Sequence, residues 1–297
     1  MGIKFIVDSM CDISQEILSR YEFEILPIPV TLGDKTFYDG IDITPEMIVS
    51  YVKNNPNNFP KTSQVQAIVY QEYFEKHLKN GDDIIYLALS SGLSGTYQTA
   101  CLIASDVCSH YPHQKITVID SKCATTGMMM ILHQGLKLNK LHKSHDEIAE
   151  TMRFLADHIQ IFFMVGDIHW LARGGRISKN VALIGEMLKI VPILYFKDGE
   201  ILAFDKVRGQ KKALKKMLAS IEERIGSNKN QIIGMVNSTV PELQEKIKKH
   251  MTKEYGYKYY ITPEAGAGSA LTVHIGTDCL GIMFFDALPD NYVQVYP

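Results

Sequence analysis

Asp83-Ile84-Ile85-Tyr86-Leu87-Ala88-Leu89-Ser90-Ser91-Gly92-Leu93-Ser94-Gly95-Thr96 decides how this chain is read. The unbroken apolar run from Ile84 to Leu89 is what a strand buried on both faces looks like. Hydroxyls and glycines follow at once, and Thr96 to Val107 then reads as a helix. Strand, hydroxyl-rich loop and helix in that order belong to a parallel sheet with helices on its faces.

The same alternation continues outward. Ile3 to Val7 reads as a buried strand and Ser14 to Arg20 as a helix. Ile25 to Leu32 reads as one edge strand, because Pro27 and Pro29 cannot donate to a ladder. Thr44-Pro45-Glu46 opens a helix with a hydroxyl cap, a proline in the first turn and an acid at the positive dipole end. A helix over Val65 to Leu78 follows Thr62-Ser63, Ile116 to Ile119 is a strand, and Met128 to Leu141 is helical. Ser144-x-x-Glu147 is a capping box opening a helix to about His158.

Beyond it the pattern changes. Ile159 to Val165 is strand-like, Val181 to Lys189 helical, and Ile190 to Phe196 and Ile201 to Phe204 flank Asp198-Gly199, a hairpin signal. A helix over Gln210 to Ile225, a strand over Ile232 to Val236 and a capping box at Thr239-x-x-Glu242 follow. Tyr257 to Ile261, Leu271 to Ile275 and Gly281 to Phe285 read as closing strands. The expected fold is α/β in two domains, which suits 297 residues. Residues 1–157 carry a mostly parallel sheet with helices on both faces, and residues 158–297 a mixed or antiparallel sheet with helices.

Composition removes several function classes. Lys and Arg total 31 against 33 Asp and Glu, so there is no bulk positive charge for nucleic acid. No apolar run approaches the roughly 20 residues that span a bilayer. The five cysteines, Cys11, Cys101, Cys108, Cys123 and Cys279, are odd in number and show no C-x-x-C spacing. That argues against a disulfide framework or a zinc site and for a cytoplasmic address. Cys101 and Cys108 read as small core residues of one helix face. His142 and His145 have no third ligand beside them, so no metal is expected.

The candidate chemistry lies in loops that follow strands, where helix N-termini and free amides converge. These are Asp8-Ser9-x-x-Asp12, Lys61-Thr62-Ser63-Gln64, the Ser90 to Thr96 loop and Asp120-Ser121. Hydroxyls and amides in such places suit a carboxylate or a phosphate. The Ser94 loop lacks the G-x-S-x-G spacing of a hydrolase elbow, and no P-loop or dinucleotide fingerprint occurs. A self-contained phosphotransferase or hydrolase using Ser94 is the alternative kept from this loop. Arg173 and Arg176 flank a Gly-Gly turn, and Lys206, Arg208, Lys211, Lys212, Lys215 and Lys216 add positive charge on and before a helix. His274 stands on or at the end of a late strand.

Taken together, Asp8-Ser9-x-x-Asp12, Lys61-Thr62-Ser63-Gln64, Ser90 to Gln98, Asp120-Ser121, Leu171-x-Arg173-Gly174-Gly175-Arg176-Ile177 and Lys206-Val207-Arg208-Gly209 resemble the DegV family, in order and spacing, along almost the whole chain. The resemblance implies a non-enzymatic bacterial lipid carrier, with a long-chain fatty acid held between its two domains. It also implies a separate ATP-dependent fatty acid kinase subunit that phosphorylates the presented carboxylate, feeding phospholipid synthesis, with transient membrane contact. No cofactor is implied beyond the bound fatty acid, and no catalytic residue of the chain's own. By this resemblance Thr62 and Ser94 hold the carboxylate, with Ser63, the Gly95 amide and His274 beside it. Arg173, Arg176 and Arg208 fall at docking positions for the kinase. Met128, Met129, Met130, Met164, Phe162 and Phe163 are the soft and aromatic residues expected around an alkyl chain. One departure stands out. Gly276-Thr277-Asp278 replaces the family's usual Gly-Pro-Gly, which is expected to bring an acid close to the head group.

Overall fold

The computed structural model describes residues 2–177 and 190–294. The expected helix over Val181 to Lys189 lies outside these residues. Strands β1 (Ile3–Asp8), β2 (Glu24–Leu26), β6 (Asp83–Ala88) and β7 (Ile116–Asp120) form a four-stranded sheet in the order β2-β1-β6-β7, parallel throughout. Alternation along β1 and β6 sends Ile6, Ile84 and Tyr86 to the face covered by α3 (Ala67–Lys79) and α4 (Thr96–Cys108). Phe5, Val7, Ile85 and Leu87 go to the other face, under α5 (Thr126–Lys140) and α6 (His145–His158).

Beyond α6, β8 (Ile159–Met164) enters a six-stranded mixed sheet of order β10-β9-β8-β13-β11-β12. Its other strands are β9 (Ile190–Lys197), β10 (Glu200–Arg208), β11 (Ile232–Ser238), β12 (Tyr259–Ile261) and β13 (Cys279–Phe285). Period-two alternation divides it as cleanly. Phe162, Met164, Leu280, Ile282 and Phe284 meet the apolar sides of α8 (Gln210–Ile225) and α9 (Pro241–Tyr255). Helix α5 packs on β1 and also on β8, β11 and β13, so it is sandwiched between the two sheets. Every residue from Thr126 to Leu138 is accordingly buried.

Several expected elements form differently. Ile25 to Leu32 is not one edge strand. Glu24–Leu26 pairs in parallel with β1, whereas β3 (Pro29–Leu32) joins β4 (Lys35–Tyr38) and β5 (Lys61–Thr62) in a separate antiparallel sheet of order β4-β3-β5. The prolines mark the break between sheets rather than an edge. Thr62 therefore lies in a strand, and α3 starts at Ala67 without a hydroxyl cap. Ser144 and Glu147 do form the reciprocal capping box. Thr239 does not: its hydroxyl donates to Asp278 Oδ1 and accepts from Asp278 N, while Pro241 opens α9. Cys101 and Cys108 are half-buried on α4 rather than core residues.

The largest departure is Leu271 to Ile275, read as a strand from its β-branched residues. It is the end of a short helix, α10 (Ser269–Ile275). Its N-cap, Gly268, has no side chain, and the cap comes from elsewhere in the chain. Asp12 Oδ1 accepts from Gly268 N at 3.0 Å, and Asp39 Oδ1 accepts from Ala270 N at 3.1 Å. Two carboxyl oxygens that accept the free N–H groups of the first turn supply what local sequence lacks, and tertiary context overrides propensity.

These acids give the fold a pH signature. Burial pushes the Asp8 carboxyl up to about 6, against hydrogen bonds from Tyr86 and Leu89 N. Burial pushes Asp12 up to about 8, opposed by Thr125 and reinforced by the charge of Asp39. In the unfolded chain both groups ionise near pH 4. Between that pH and the folded values, the folded protein holds the extra protons, so stability falls as pH rises. Burial pushes His133 and His274 down to about 3, which acts in the opposite sense up to about pH 6.5, so the acid is isolated by comparison with a variant. The melting temperature of the wild type relative to Asp8→Asn is expected to decline from pH 4 to pH 7, and a relative melting temperature that climbs across this range contradicts the assignment.

Candidate functional site

The parallel sheet points its carboxyl ends at one face of the six-stranded sheet, and a cavity lies between them. Its volume is only about 80 Å³. The space is therefore a narrow slot rather than a bowl. The floor is the inner face of the six-stranded sheet: Ile161 and Phe163 of β8, Phe196 of β9, Ile201 of β10, Val236 of β11, and Cys279, Gly281 and Met283 of β13. Met10, Ile28, Leu89, Leu93 and Ala124 close it from the other side, and Leu171, Leu271 and Ile275 cover one end.

Most of the polar groups converge at that covered end: Thr62, Ser63, Gln64, Ser94, Thr96, Arg176 and His274 line the cavity, and the remaining polar side chain, Thr125, is turned to Asp12. Thr62 Oγ1 lies 2.8 Å from His274 Nε2, a hydrogen bond between β5 and α10 across 212 residues of sequence. Ser94 Oγ lies 2.9 Å from Thr96 Oγ1 and accepts from Thr96 N, so the hydroxyl is fixed at the start of α4. Gln64 bridges the two loops: a Cβ on Gly95 would stand 2.5 Å from Gln64 Oε1. Gly95 itself is exposed and flanks the cavity rather than lining it.

The electrostatics favour an anion. His274 is 7% exposed, and burial, with the Arg176 charge added, pushes its pKa down to about 3. The ring is neutral at physiological pH. Nε2 faces Thr62, and Nδ1 has no hydrogen-bond partner among the described residues; it is enclosed against Gly174, where a Cβ would come within 2.5 Å. Arg176 folds inward, donating from Nε to Leu93 O at 3.2 Å and from Nη1 to Gly174 O at 2.5 Å. The arginine that opposes protonation of His274 attracts a carboxylate to the same place.

The other expected residues fall elsewhere. Arg173 is exposed, its guanidinium 5.0 Å from the Phe59 ring, and Phe59 meets the edge of Trp170. Arg208 is exposed at the end of β10. The Asp8–Asp12 and Asp120–Ser121 loops are not at the head of the cavity. Their carboxylates are spent internally, Asp120 accepting from Ser91 N, Ser91 Oγ and Lys122 N. Asp278 is exposed and bonded to Thr239 and Thr277, so the altered turn brings no acid to the head group. Of the residues expected around an alkyl chain, Phe163 lines the cavity. Phe162 and Met164 point into the opposite core, and Met128, Met129 and Met130 are packed within α5. Gln64 and Thr96 belong to the loops singled out in the sequence without being named as ligands, and Met283 is new to the site. For Met283 the signal was present, since it shares the parity of Cys279 and Gly281 on one strand.

Comparison with known proteins gives a consistent picture. A family described as "Uncharacterised protein, DegV family" matches residues 2–287. A DegV domain-containing protein of Clostridium acetobutylicum is 33% identical over 288 residues, 96% of this chain and 98% of that one. A stearic-acid-binding protein of Eubacterium ventriosum superposes with a TM-score of 0.85 at 26% identity, covering 95% of this chain and 97% of the other. DegV of Bacillus subtilis, described as a fatty acid binding protein, gives 0.82 at 26% identity, covering 95% and 98%.

Proposed function

The chain belongs to the DegV family, and from that premise we propose that it binds a long-chain fatty acid, with the carboxylate at Thr62, Ser94 and His274 and the alkyl chain in the slot. Ser63, the Gly95 amide and Arg176 complete the head-group surroundings. The observation that carries this reading is the division of one narrow cavity into a polar end, where Thr62 meets His274, and a remainder that is apolar but for Thr125, whose hydroxyl donates to Asp12. The solved relatives from Eubacterium ventriosum and Bacillus subtilis, which bind fatty acids, support it.

The energetics are consistent with it. About 15 methylenes at roughly 0.8 kcal/mol each give on the order of 12 kcal/mol before the costs of association. Micromolar to nanomolar binding needs about 8 to 12 kcal/mol net, which a surface groove does not supply. The carboxylate enters such a place only with hydrogen bonds, and hydroxyls and an imidazole at one end are the required donors.

The ligand sits between units dividing near residue 157, and its head is presented to a separate ATP-dependent kinase. The chain acts as a cytoplasmic carrier with transient membrane contact. Arg173 and Arg208 are exposed cations suited to an acidic partner surface. A self-contained hydrolase or phosphotransferase built on Ser94 is less well supported. Ser94 Oγ meets Thr96 rather than a base, and the hydroxyl–imidazole pair at the cavity, Thr62 with His274, has among the described residues no third group on Nδ1 to orient the ring.

Mixing the protein with a bacterial fatty acid kinase, ATP and palmitate is expected to yield acyl phosphate only when both proteins are present. Arg173→Ala with Arg208→Ala is expected to slow transfer at least several-fold and leave palmitate binding unchanged. Turnover by this chain alone contradicts the carrier reading, and equal loss of binding places these arginines at the ligand.

A further inference from the structure

Resting on the reading that the slot takes a fatty acid, we propose that Met283, folded over Gly281, is an adjustable stop that sets the acyl-chain length the protein accepts. Cys279, Gly281 and Met283 alternate along β13 and all face the slot. The strand leaves α10 through the turn at residues 276–278, so each successive residue lies farther from His274. At roughly 3.3 Å per residue, Met283 stands about 13 Å beyond Cys279.

Gly281 pairs in register with Phe163 on one side and Val236 on the other. Both neighbours send side chains into the slot, and the glycine between them leaves a notch in the floor. Met283 uses that notch: its Cε comes within 3.1 Å of where a Gly281 Cβ would stand, and Val236 Cγ1 bounds the same spot at 3.1 Å. The base of the same side chain is held firmly. Met283 pairs with Gly234, where a Cβ would meet Met283 Cβ at 3.0 Å, Thr126 Cγ2 at 3.0 Å and Met130 Sδ at 2.5 Å. Met283 therefore has a fixed root against α5 and a tip resting on bare backbone.

Its neighbours on the floor, Ile161, Phe163, Phe196, Ile201 and Val236, are β-branched or aromatic and hold few rotamers. A thioether on an unbranched stem is the part of this wall that moves at low cost. Lying in the notch, it leaves the slot long; lifted, it shortens it. Met10 is a second methionine of the lining, but it comes from the opposite wall.

The test loads the delipidated full chain with an equimolar mixture of saturated straight-chain acids from decanoate to icosanoate, and native mass spectrometry reads which are bound. Met283→Ala is expected to move the maximum about two to three methylenes longer, with about a fourfold preference per added methylene. Gly281→Ala, at a position with ordinary φ, displaces the Met283 tip into the slot and moves the maximum about one to two methylenes shorter. In the double variant the Gly281→Ala shift shrinks to what the added methyl and its contact with Val236 impose, because no tip remains to be displaced. Should Met283→Ala not fold, Met283→Leu with Gly281→Ala carries the test, the two shifting the profile in opposite directions.

Identical profiles in a loaded wild type and its variants overturn the stop. So does a Gly281→Ala shift that keeps its full size without Met283. A wild type that takes up none of the acids overturns instead the reading beneath.

Discussion

Thr62→Ala combined with Ser94→Ala is expected to weaken binding of a long-chain fatty acid by roughly 10²- to 10⁴-fold. A hydrogen bond to a charged group is worth about 1.5–3 kcal/mol. Two of them give about 3–6 kcal/mol, and each 1.4 kcal/mol is about tenfold in affinity. Thr62→Ala also frees His274 Nε2, whose hydrogen bond to Thr62 holds the ring in place. The fold is expected to survive. The pairing of β5 with β3 is made by backbone groups, and among the described residues the Ser94 hydroxyl bonds locally, to Thr96. Displacement of a fluorescent fatty acid reads the affinity, and a thermal melt reads the fold. Unchanged affinity in the double variant means that the carboxylate lies elsewhere.

Gly276→Val is expected to lower stability by about 3–5 kcal/mol. Gly276 has φ +64° and ψ −147°, a conformation that belongs almost to glycine alone and that costs other residues about 1–3 kcal/mol. A Cβ there would stand 2.6 Å from the Trp170 ring, so the indole must also move. At roughly 2–4 °C per kcal/mol for chains of this order, melting falls by about 6–20 °C. Trp170 is the only tryptophan of the chain, so its emission reports the displacement directly. Because Trp170 covers the turn that follows His274, fatty acid binding weakens along with stability. A variant with native melting and native emission contradicts this account of the turn.

The strands of the parallel sheet and the helices on its faces were legible because each carries its own pattern. The apolar runs of β1 and β6, the Ser144 capping box and the helix over Gln210 to Ile225 are local features, and the structure forms them as read. What was not legible depends on partners distant in sequence. Helix α10 is capped by Asp12 and Asp39, more than 200 residues away, so its own residues read as a strand. Prolines 27 and 29 signalled an interruption, but not that the chain changes sheets there.

The site divides along the same line. Thr62, Ser63, Ser94 and His274, which the resemblance names for the carboxylate, line the cavity together. Arg176 was read as a surface cation, and only the tertiary contact with Leu93 O turns it inward. Parity along β8 separates Phe163 from Phe162 and Met164, but it does not say which face meets the ligand. That depends on α5 lying between the two sheets.

The most direct test of the central claim is the lipid that accompanies the protein. Native mass spectrometry of the full chain purified from a bacterial host is expected to show one long-chain fatty acid per chain. Solvent extraction should release it, and the delipidated protein should take it up again. A chain that carries no lipid and takes up no added fatty acid contradicts the account.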